Sequence, residues 1–450
     1  MVDGDALAKV CAEALAAHGT ASVSIAVAHR GEVVLEQAHG WADTAARRPA
    51  TPGTAYAVAS VSKAITATGV CLAADAGLLG LDDPVPGPDG PDGPDGSPAP
   101  TVRQLLRHRG GLGGHVAFAY PGGPALIDPD RYQAPLAAPD ARFEYANLGF
   151  HRLGGLLERS SGQQLGDFLR ERVLRPLGMA DTHYGAAYPG SAPTAERYTA
   201  DGRAYPAGYL LSTPAAGAAW ATAGDLARFG HGAPGLLAPG TAAAVAEAPA
   251  ITDHVGYGLG WILSTGPGPQ VRSHGGGMGG VATMVVAVPE LELSLAVLTN
   301  HTIKAARDAV VDHLLTELVP EYHPGKIAPY APDPARPVPL AVGRWAGVVR
   351  TPEGEVPILL DILTESRVSV AFTGGEPVRA AAAAGREYRL RSAVALQLPT
   401  DDARRNSPML ALELNEAGGK LVGRAAAYAD GDRSGLLGNY LVHACELSPI

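Results

Sequence analysis

The chain has 450 residues, 46% hydrophobic and 18% charged, and a net charge of −10. That balance describes a globular protein too long for a single small core, and it excludes a disordered chain. With acidic residues in excess and no basic block, nucleic acid and anionic membrane surfaces are poor partners.

Residues 1–19 form an alanine-rich helical pattern interrupted by Asp3, Asp5, Lys9 and Glu13. An export signal needs a positive start and an unbroken apolar core. No later stretch is apolar and long enough to span a bilayer. The sequence as written therefore predicts a cytoplasmic protein without a membrane partner. Cys11, Cys71 and Cys445 are odd in number, widely spaced and without metal spacing. They fit buried thiols in a reducing compartment.

Val23, Ile25 and Val27 alternate with small residues, and a strand pattern resumes after Arg30-Gly31, so residues 20–41 read as a β-hairpin. A helix follows from Ser60 to about Gly77. The Gly-Pro-Asp repeats of residues 87–96 read as a solvated, turn-rich insertion. Thr101 and Gln104 have the spacing of a capping box. Helical patterns continue through Leu148–Leu157 before Gly162, over 165–173, and after the cap Thr222-x-x-Asp225. Residues 281–288 and 293–298 read as adjacent antiparallel strands, and 305–319 as a closing amphipathic helix.

Prolines then crowd together, as in an exposed linker. Beyond them lie short strand-like segments near 342–350, 355–364, 367–373, 386–391, 394–399, 409–415, 420–428 and 437–444. Regular short strands without helices predict a small β-barrel. The expected layout is a catalytic domain at 1–325, a linker at 326–340 and a barrel domain at 341–450.

Lysine is scarce, with Lys9, Lys63, Lys304, Lys326 and Lys420 the whole set. Lys63 follows Ser60 by three residues, one turn on along the same helix face. A serine hydroxyl beside an amine held neutral is a route to a nucleophile. Two further patterns follow in order, Tyr145-Ala146-Asn147 and His274-Gly275-Gly276. In these three patterns the chain resembles the serine β-lactamase and penicillin-binding-protein superfamily, most closely its class C-like branch. The resemblance covers roughly residues 15–320 and includes Thr101–His108 with Gly110-Gly111-Leu112, Leu169–Met179 and Gly217–Phe229.

The resemblance implies an α/β fold, an antiparallel sheet flanked by helices with a helical subdomain, and no metal or cofactor. It implies that Ser60 attacks a carbonyl and Lys63 accepts its proton. Tyr145 relays a proton, given a lowered pKa or a partner such as Lys63. Asn147 orients Lys63 and the acyl chain; it also fits a plain helix N-cap, and Tyr145 a plain core tyrosine. The backbone amides of Ser60 and Gly277 form the oxyanion hole. His274 stands where β-lactamases carry lysine, which puts efficient β-lactam turnover in question. Gly275 and Gly276 either clear room for substrate or give a flexible strand entry.

Rival motifs are absent: no serine sits in G-x-S-x-G, and there is no phosphate loop and no H-E-x-x-H. Gly256-Tyr257-Gly258-Leu259-Gly260 is only superficially dinucleotide-like, because strand residues follow it.

Within the superfamily, the missing export signal favours cytoplasmic members. One group is the penicillin-binding-protein-type thioesterases of nonribosomal peptide biosynthesis, which carry a C-terminal lipocalin-like barrel and release peptides, often as macrocycles, from a carrier-protein thioester. That is the expected function. A cytosolic carboxylesterase, a D-stereospecific peptidase or amidase, and a non-catalytic penicillin-sensing protein are the alternatives. Arg433 is the candidate cation for a peptide carboxylate, equally readable as a solvated turn residue, with Arg344 and Arg424 behind it.

Overall fold

Alternation along the first hairpin sets the layering. Helix α1 (Gly4–His18) leads into β1 (Ser22–His29) and β2 (Glu32–Asp43), which pair antiparallel and continue to a short β3 (Arg48–Pro49). Helices α2 (Ser62–Asp75), α3 (Asn147–Ser161) and α4 (Ala223–Gly232) follow. Strands β4 (Val255–Tyr257), β5 (Ile262–Ser264), β6 (Arg272–Met278), β7 (Val281–Val288) and β8 (Leu293–Thr299) and helix α5 (Ala305–Leu318) complete the body. The sheet order is β3-β2-β1-β8-β7-β6-β5-β4, antiparallel at every step. The computed structural model describes residues 2–88, 90, 96, 98–327, 336–385, 387–429 and 435–450.

Val23, Ile25 and Val27 face one side of the sheet and pack with Leu7 and Cys11 of α1 and Val310, Val311, Leu314 and Leu315 of α5. The intervening Ala26 and Ala28 join a larger core on the other side, as a two-residue period requires. Small residues on that side let α4 lie close. A Cβ on Gly230 would sit 3.0 Å from the Ser294 Cβ, and the Ser294 hydroxyl donates to the Ala227 carbonyl.

Helix α2 is buried at every residue from Ser62 to Ala73. Its Ala, Gly and Thr side chains allow this: a Cβ on Gly69 would sit 2.4 Å from Leu169 Cδ2. Enclosure on all sides leaves the start of the helix little room to move. The capping box at Thr101 forms as expected, and Thr222 caps α4 through the Asp225 N–H. The helix expected over 165–173 is α-helical only to Leu169 and continues as a π-turn, Arg170–Leu174.

The C-terminal part is a closed antiparallel barrel of eight strands: Gly343–Thr351, Gly354–Thr364, Arg367–Phe372, Val378–Ala383, Leu390–Val394, Met409–Ala417, Lys420–Tyr428 and Tyr440–Pro449. Alternate residues are buried, among them Ile358, Leu360, Ile362, Leu410, Leu412 and Leu414. Two expected strands are corrected. The segments near 386–391 and 394–399 give a single strand at Leu390–Val394, followed by a helical turn Asp401–Arg404 capped by Thr400. The other strand, Val378–Ala383, ends in four alanines and carries little β-propensity signal beyond its first residue.

Residues 328–335 of the expected linker lie outside the described residues, as does much of the 87–96 insertion. On either side of 328–335 the chain is packed: Lys326, Ile327, Val338 and Leu340 are buried. All three cysteines are buried and free, and burial pushes each thiol pKa up to about 12. Among the described residues no helix is long and apolar enough to cross a membrane.

Candidate active site

Ser60 sits in a tight helical turn, Ala59–Val61, between a short strand at Tyr56–Ala57 and α2. Ala59 adopts φ 46, a left-handed conformation that alanine avoids at a cost of roughly 1–2 kcal/mol. Ser62 holds the turn: its hydroxyl donates to the Ala59 carbonyl (2.6 Å) and accepts from the Ala219 N–H (3.0 Å). The strained turn presents Ser60 to the cleft.

Lys63 is fully buried. Its Nζ lies 3.2 Å from Ser60 Oγ and donates to the Ala216 carbonyl at 2.9 Å. It also lies 4.8 Å from the Tyr145 ring centroid and 5.7 Å from that of Phe150. Burial drives its pKa well below the ordinary lysine value, so the amine is set up to accept a proton. Burial raises the Tyr145 phenol pKa, and the Ser60 hydroxyl beside it opposes the rise. Of the two routes open to it, a lowered pKa or a partner such as Lys63, the first is not met. Tyr145 rests as a neutral phenol beside Ser60, with Lys63 against the ring face.

Asn147 is the first residue of α3, whose N-cap is Ala146. Its side-chain amide donates to the Gly114 carbonyl at 3.2 Å, and it lines the cleft beside Ser60. The residue expected to orient Lys63 does not bond it; the Ala216 carbonyl does.

His274 differs more from expectation. It is buried in β6, with Nδ1 2.9 Å from the Gly275 carbonyl and Nε2 2.9 Å from the Tyr257 hydroxyl. A carbonyl only accepts, so Nδ1 carries the proton and Nε2 accepts from Tyr257. Burial, with Lys63 nearby, lowers its pKa to about 3. Both ring nitrogens are engaged within the protein, leaving no free donor for substrate.

The glycine run answers a steric demand. A Cβ on Gly276 would lie 2.1 Å from the Val58 carbonyl oxygen and 2.2 Å from Thr283 Oγ1. Strand β6 pairs with β7 over its whole length but with β5 only at Arg272 and Ser273. Its outer edge from His274 to Met278 therefore runs free past the Ser60 turn.

Two cavities meet at Ser60 and Gly277. One, of about 290 Å³, is lined by Val116, Phe118, Tyr205, Leu211 and Met278 and, from the barrel part, Leu437. The other, of about 540 Å³, is lined by Tyr145, His274, Lys304, Arg307, Asp308 and Asp312. Lys304 has no hydrogen-bond or ion-pair partner among the described residues, whereas Arg307 pairs with Asp308. Arg433 lies outside the described residues. Arg344 pairs with Asp361, and Arg424 is bound to Glu144 and Glu413. Among the described residues no group of His, Cys, Asp or Glu is disposed to hold a metal ion.

Two further residues surround the site without having been picked out in the sequence. His108, at φ 55, packs its ring 4.3 Å from that of Tyr145 and 4.6 Å from that of Tyr257, and its Nδ1 accepts from the Ala146 N–H. Tyr257 lies in the glycine-rich stretch dismissed as a nucleotide loop. Its signal was a strand of small residues bearing one aromatic; a Cβ on Gly258 would lie 2.7 Å from Leu263 Cδ1.

Comparison with known proteins agrees with this architecture. A family model described as Beta-lactamase matches residues 7–319. Unguisins hydrolase ungD' of Aspergillus campestris is 26% identical over 308 residues, covering 55% of this chain and 56% of that protein. D-aminopeptidase of Brucella ovis is 31% identical over 172 residues, covering 35% of this chain and 31% of that protein. The chain thus spans about half the length of the first relative and less of the second. The crystal structure of SurE with D-Leu superposes with a TM-score of 0.62 at 22% identity, covering 97% of this chain and 99% of SurE. At that identity the likeness is one of fold, and it takes in the barrel as well as the body. With the family model matched across 7–319, the chain belongs to the beta-lactamase family.

Proposed function

We propose that the protein is a serine acyl-transfer enzyme that works through an acyl-enzyme on Ser60, and that it releases a peptide from a thioester by hydrolysis or ring closure. One observation carries the acyl-transfer reading: the Ser60 hydroxyl, where two cavities meet, is 3.2 Å from an amine whose pKa burial drives down, and it shares a cavity with the Tyr145 phenol.

As the Ser60 Oγ–carbon bond forms, its proton passes to Lys63. Negative charge on the carbonyl oxygen falls between Ser60 and Gly277, which line both cavities and would supply the backbone donors. The carbon–sulfur bond breaks, and the Tyr145 phenol gives the thiolate its proton and recovers one from Lys63. In the second half the amine nitrogen or water oxygen bonds the acyl carbon, the bond from that carbon to Ser60 Oγ breaks, and the proton lost by the nucleophile returns to Ser60 Oγ through the Tyr145 and Lys63 pair. The apolar cavity suits the acyl chain. The larger, charged one suits the leaving group and then the nucleophile.

The peptide reading draws on the likeness of the whole chain to SurE, solved with D-Leu. A carrier-protein thioester as donor and a cytoplasmic setting belong to the same reading. A D-stereospecific peptidase or amidase is the second reading, favoured by the match to D-aminopeptidase.

The test is incubation with peptidyl thioesters ending in a D- or an L-residue, beside D-residue amides and simple esters, using Ser60→Ala as control. Release from the D-terminated thioesters with a water-loss mass supports cyclisation. Turnover of amides or simple esters alone replaces it with the second reading or an esterase. A single acylation without turnover makes the protein an acyl sensor.

A further inference from the structure

Glu144 immediately precedes Tyr145, and its carboxylate is 3% exposed. It reaches into the barrel. Arg424 donates to Oε1, and the Tyr388 hydroxyl donates to Oε2 at 2.9 Å. Arg142, from the body, donates to Oε2 at 3.3 Å. The guanidinium carbons of Arg142 and Arg424 each lie 5.4 Å from the Tyr388 ring centroid, so the tyrosine is packed against both cations. Arg424 also bonds Glu413, which accepts from Arg391 at 3.0 Å.

The backbone on either side of Tyr145 is fixed from the body. The Glu144 N–H donates to the His108 carbonyl (2.8 Å), and the Ala146 N–H donates to His108 Nδ1 (3.0 Å). The segment therefore has two anchors. His108 holds its main chain, and the barrel holds the Glu144 side chain. Tyr145 hangs between them, lining the same cavity as Ser60 with its ring under Lys63.

From this geometry we infer that Glu144, gripped by Arg424 and Tyr388, is the positioning residue for the Tyr145 phenol, so that the barrel sets proton transfer at Ser60. The inference rests on the acyl-transfer reading for its effect on rate, but not for its effect on geometry. A buried carboxylate deprived of its strongest partner moves towards water or another donor. The residue next to it moves too. Displacement of a catalytic group by about 1 Å costs on the order of 100-fold in rate.

A plain docking contact is the rival account, and a second tie between the two parts separates them. Asp402 of the barrel, also buried, accepts from Arg131 (2.8 Å) and from the Tyr132 hydroxyl (2.9 Å). That tie does not adjoin Tyr145.

The experiment uses the full chain and three variants: Arg424→Met, Arg424→Lys and Asp402→Asn. Hydrolysis of a p-nitrophenyl ester is measured for each, beside Ser60→Ala, and the crystal structure of Arg424→Met is determined. For Arg424→Met, kcat is expected to fall about 100-fold with KM within about threefold, and the Tyr145 hydroxyl to leave Ser60. Arg424→Lys is expected to recover at least about tenfold, because an ammonium still reaches the carboxylate. Asp402→Asn is expected to lower thermal stability while kcat stays within about threefold. Equal losses of kcat in Asp402→Asn and Arg424→Met overturn the inference, as does a Tyr145–Ser60 separation in the Arg424→Met crystal equal to that of the wild type. Should wild type and Ser60→Ala be equally inert, the acyl-transfer reading falls, and the position of Tyr145 in that crystal decides the inference alone.

Discussion

The hydroxyl of Tyr257 donates to Nε2 of His274 across 2.9 Å, and the direction of that bond follows from the Gly275 carbonyl on the other ring nitrogen. The histidine in the position where lysine stands in β-lactamases is therefore a neutral, internally satisfied part of the wall. Tyr257→Phe keeps the ring but strips the donor from a buried acceptor nitrogen. Stability is expected to fall by about 1–3 kcal/mol, read from urea unfolding midpoints at unchanged slope. A midpoint equal to that of wild type would mean that the bond does not form.

Buried histidines make the fold acid-labile. Burial lowers the pKa of His115 to about 3, of His274 to about 3 and of His443 to about 4. Unfolded, each binds a proton below about pH 6.5. Between that value and the folded pKa the unfolded chain holds more protons, so stability is full above about pH 6.5 and is lost as pH falls. The loss is about 1.4 kcal/mol per pH unit for each histidine. Urea unfolding at pH 7.5, 6.5 and 5.5 checks this; a flat profile contradicts it.

Lys63 is expected to trade stability for reactivity. Its folded pKa is depressed by burial, so between that value and the unfolded pKa the unfolded chain binds the extra proton and neutral pH penalises the fold. Lys63→Met is predicted to abolish acylation, by at least about 100-fold, while unfolding at a higher urea concentration than wild type at pH 7. Activity of the wild type should fall on the acid side as Lys63 takes up a proton. A variant that is both inactive and less stable would show that Lys63 contributes to holding the fold.

The glycines of β6 should differ from one another. Gly276→Ala places a methyl 2.1 Å from backbone oxygen of the turn before Ser60, and overpacking of that kind costs about 1–3 kcal/mol. Acylation should fall with it. At Gly277 the nearest atom is Cε of the mobile Lys304 side chain, at 2.8 Å. Gly277→Ala should therefore spare stability and slow acylation only. Thermal melts and burst kinetics of the pair distinguish these outcomes.

Leu437 brings the barrel part to the smaller cavity beside Ser60, which the proposed function gives to the acyl chain. Leu437→Phe narrows the cavity of about 290 Å³ and is expected to cut kcat/KM for bulky acyl esters about 10- to 100-fold relative to acetyl esters. Equal effects on both series would place the acyl chain elsewhere.

Much of this was legible in the sequence. The hairpin, the caps at Thr101 and Thr222, the paired strands β7 and β8 and the existence of a barrel follow from local periodicity and capping chemistry, which act within a few residues. Ser60, Lys63, Tyr145 and Asn147, which the structure brings to one cleft, could be picked out because their motifs are short. The strand at Val378–Ala383 was missed because alanine has no strong preference of its own, and a closed barrel supplies the pairing that holds it.

The sequence by itself determined the order of elements and the chemical types gathered at the site. Only the tertiary structure decided their states. Whether Lys63 is neutral, whether His274 has a nitrogen to spare, and which arginine is already paired depend on burial and on partners far along the chain. Glu144 and Arg424 are 280 residues apart, and Tyr257 meets His274 only because β4, β5 and β6 lie side by side. Desolvation and hydrogen bonding act through space, and no spacing along the chain records them.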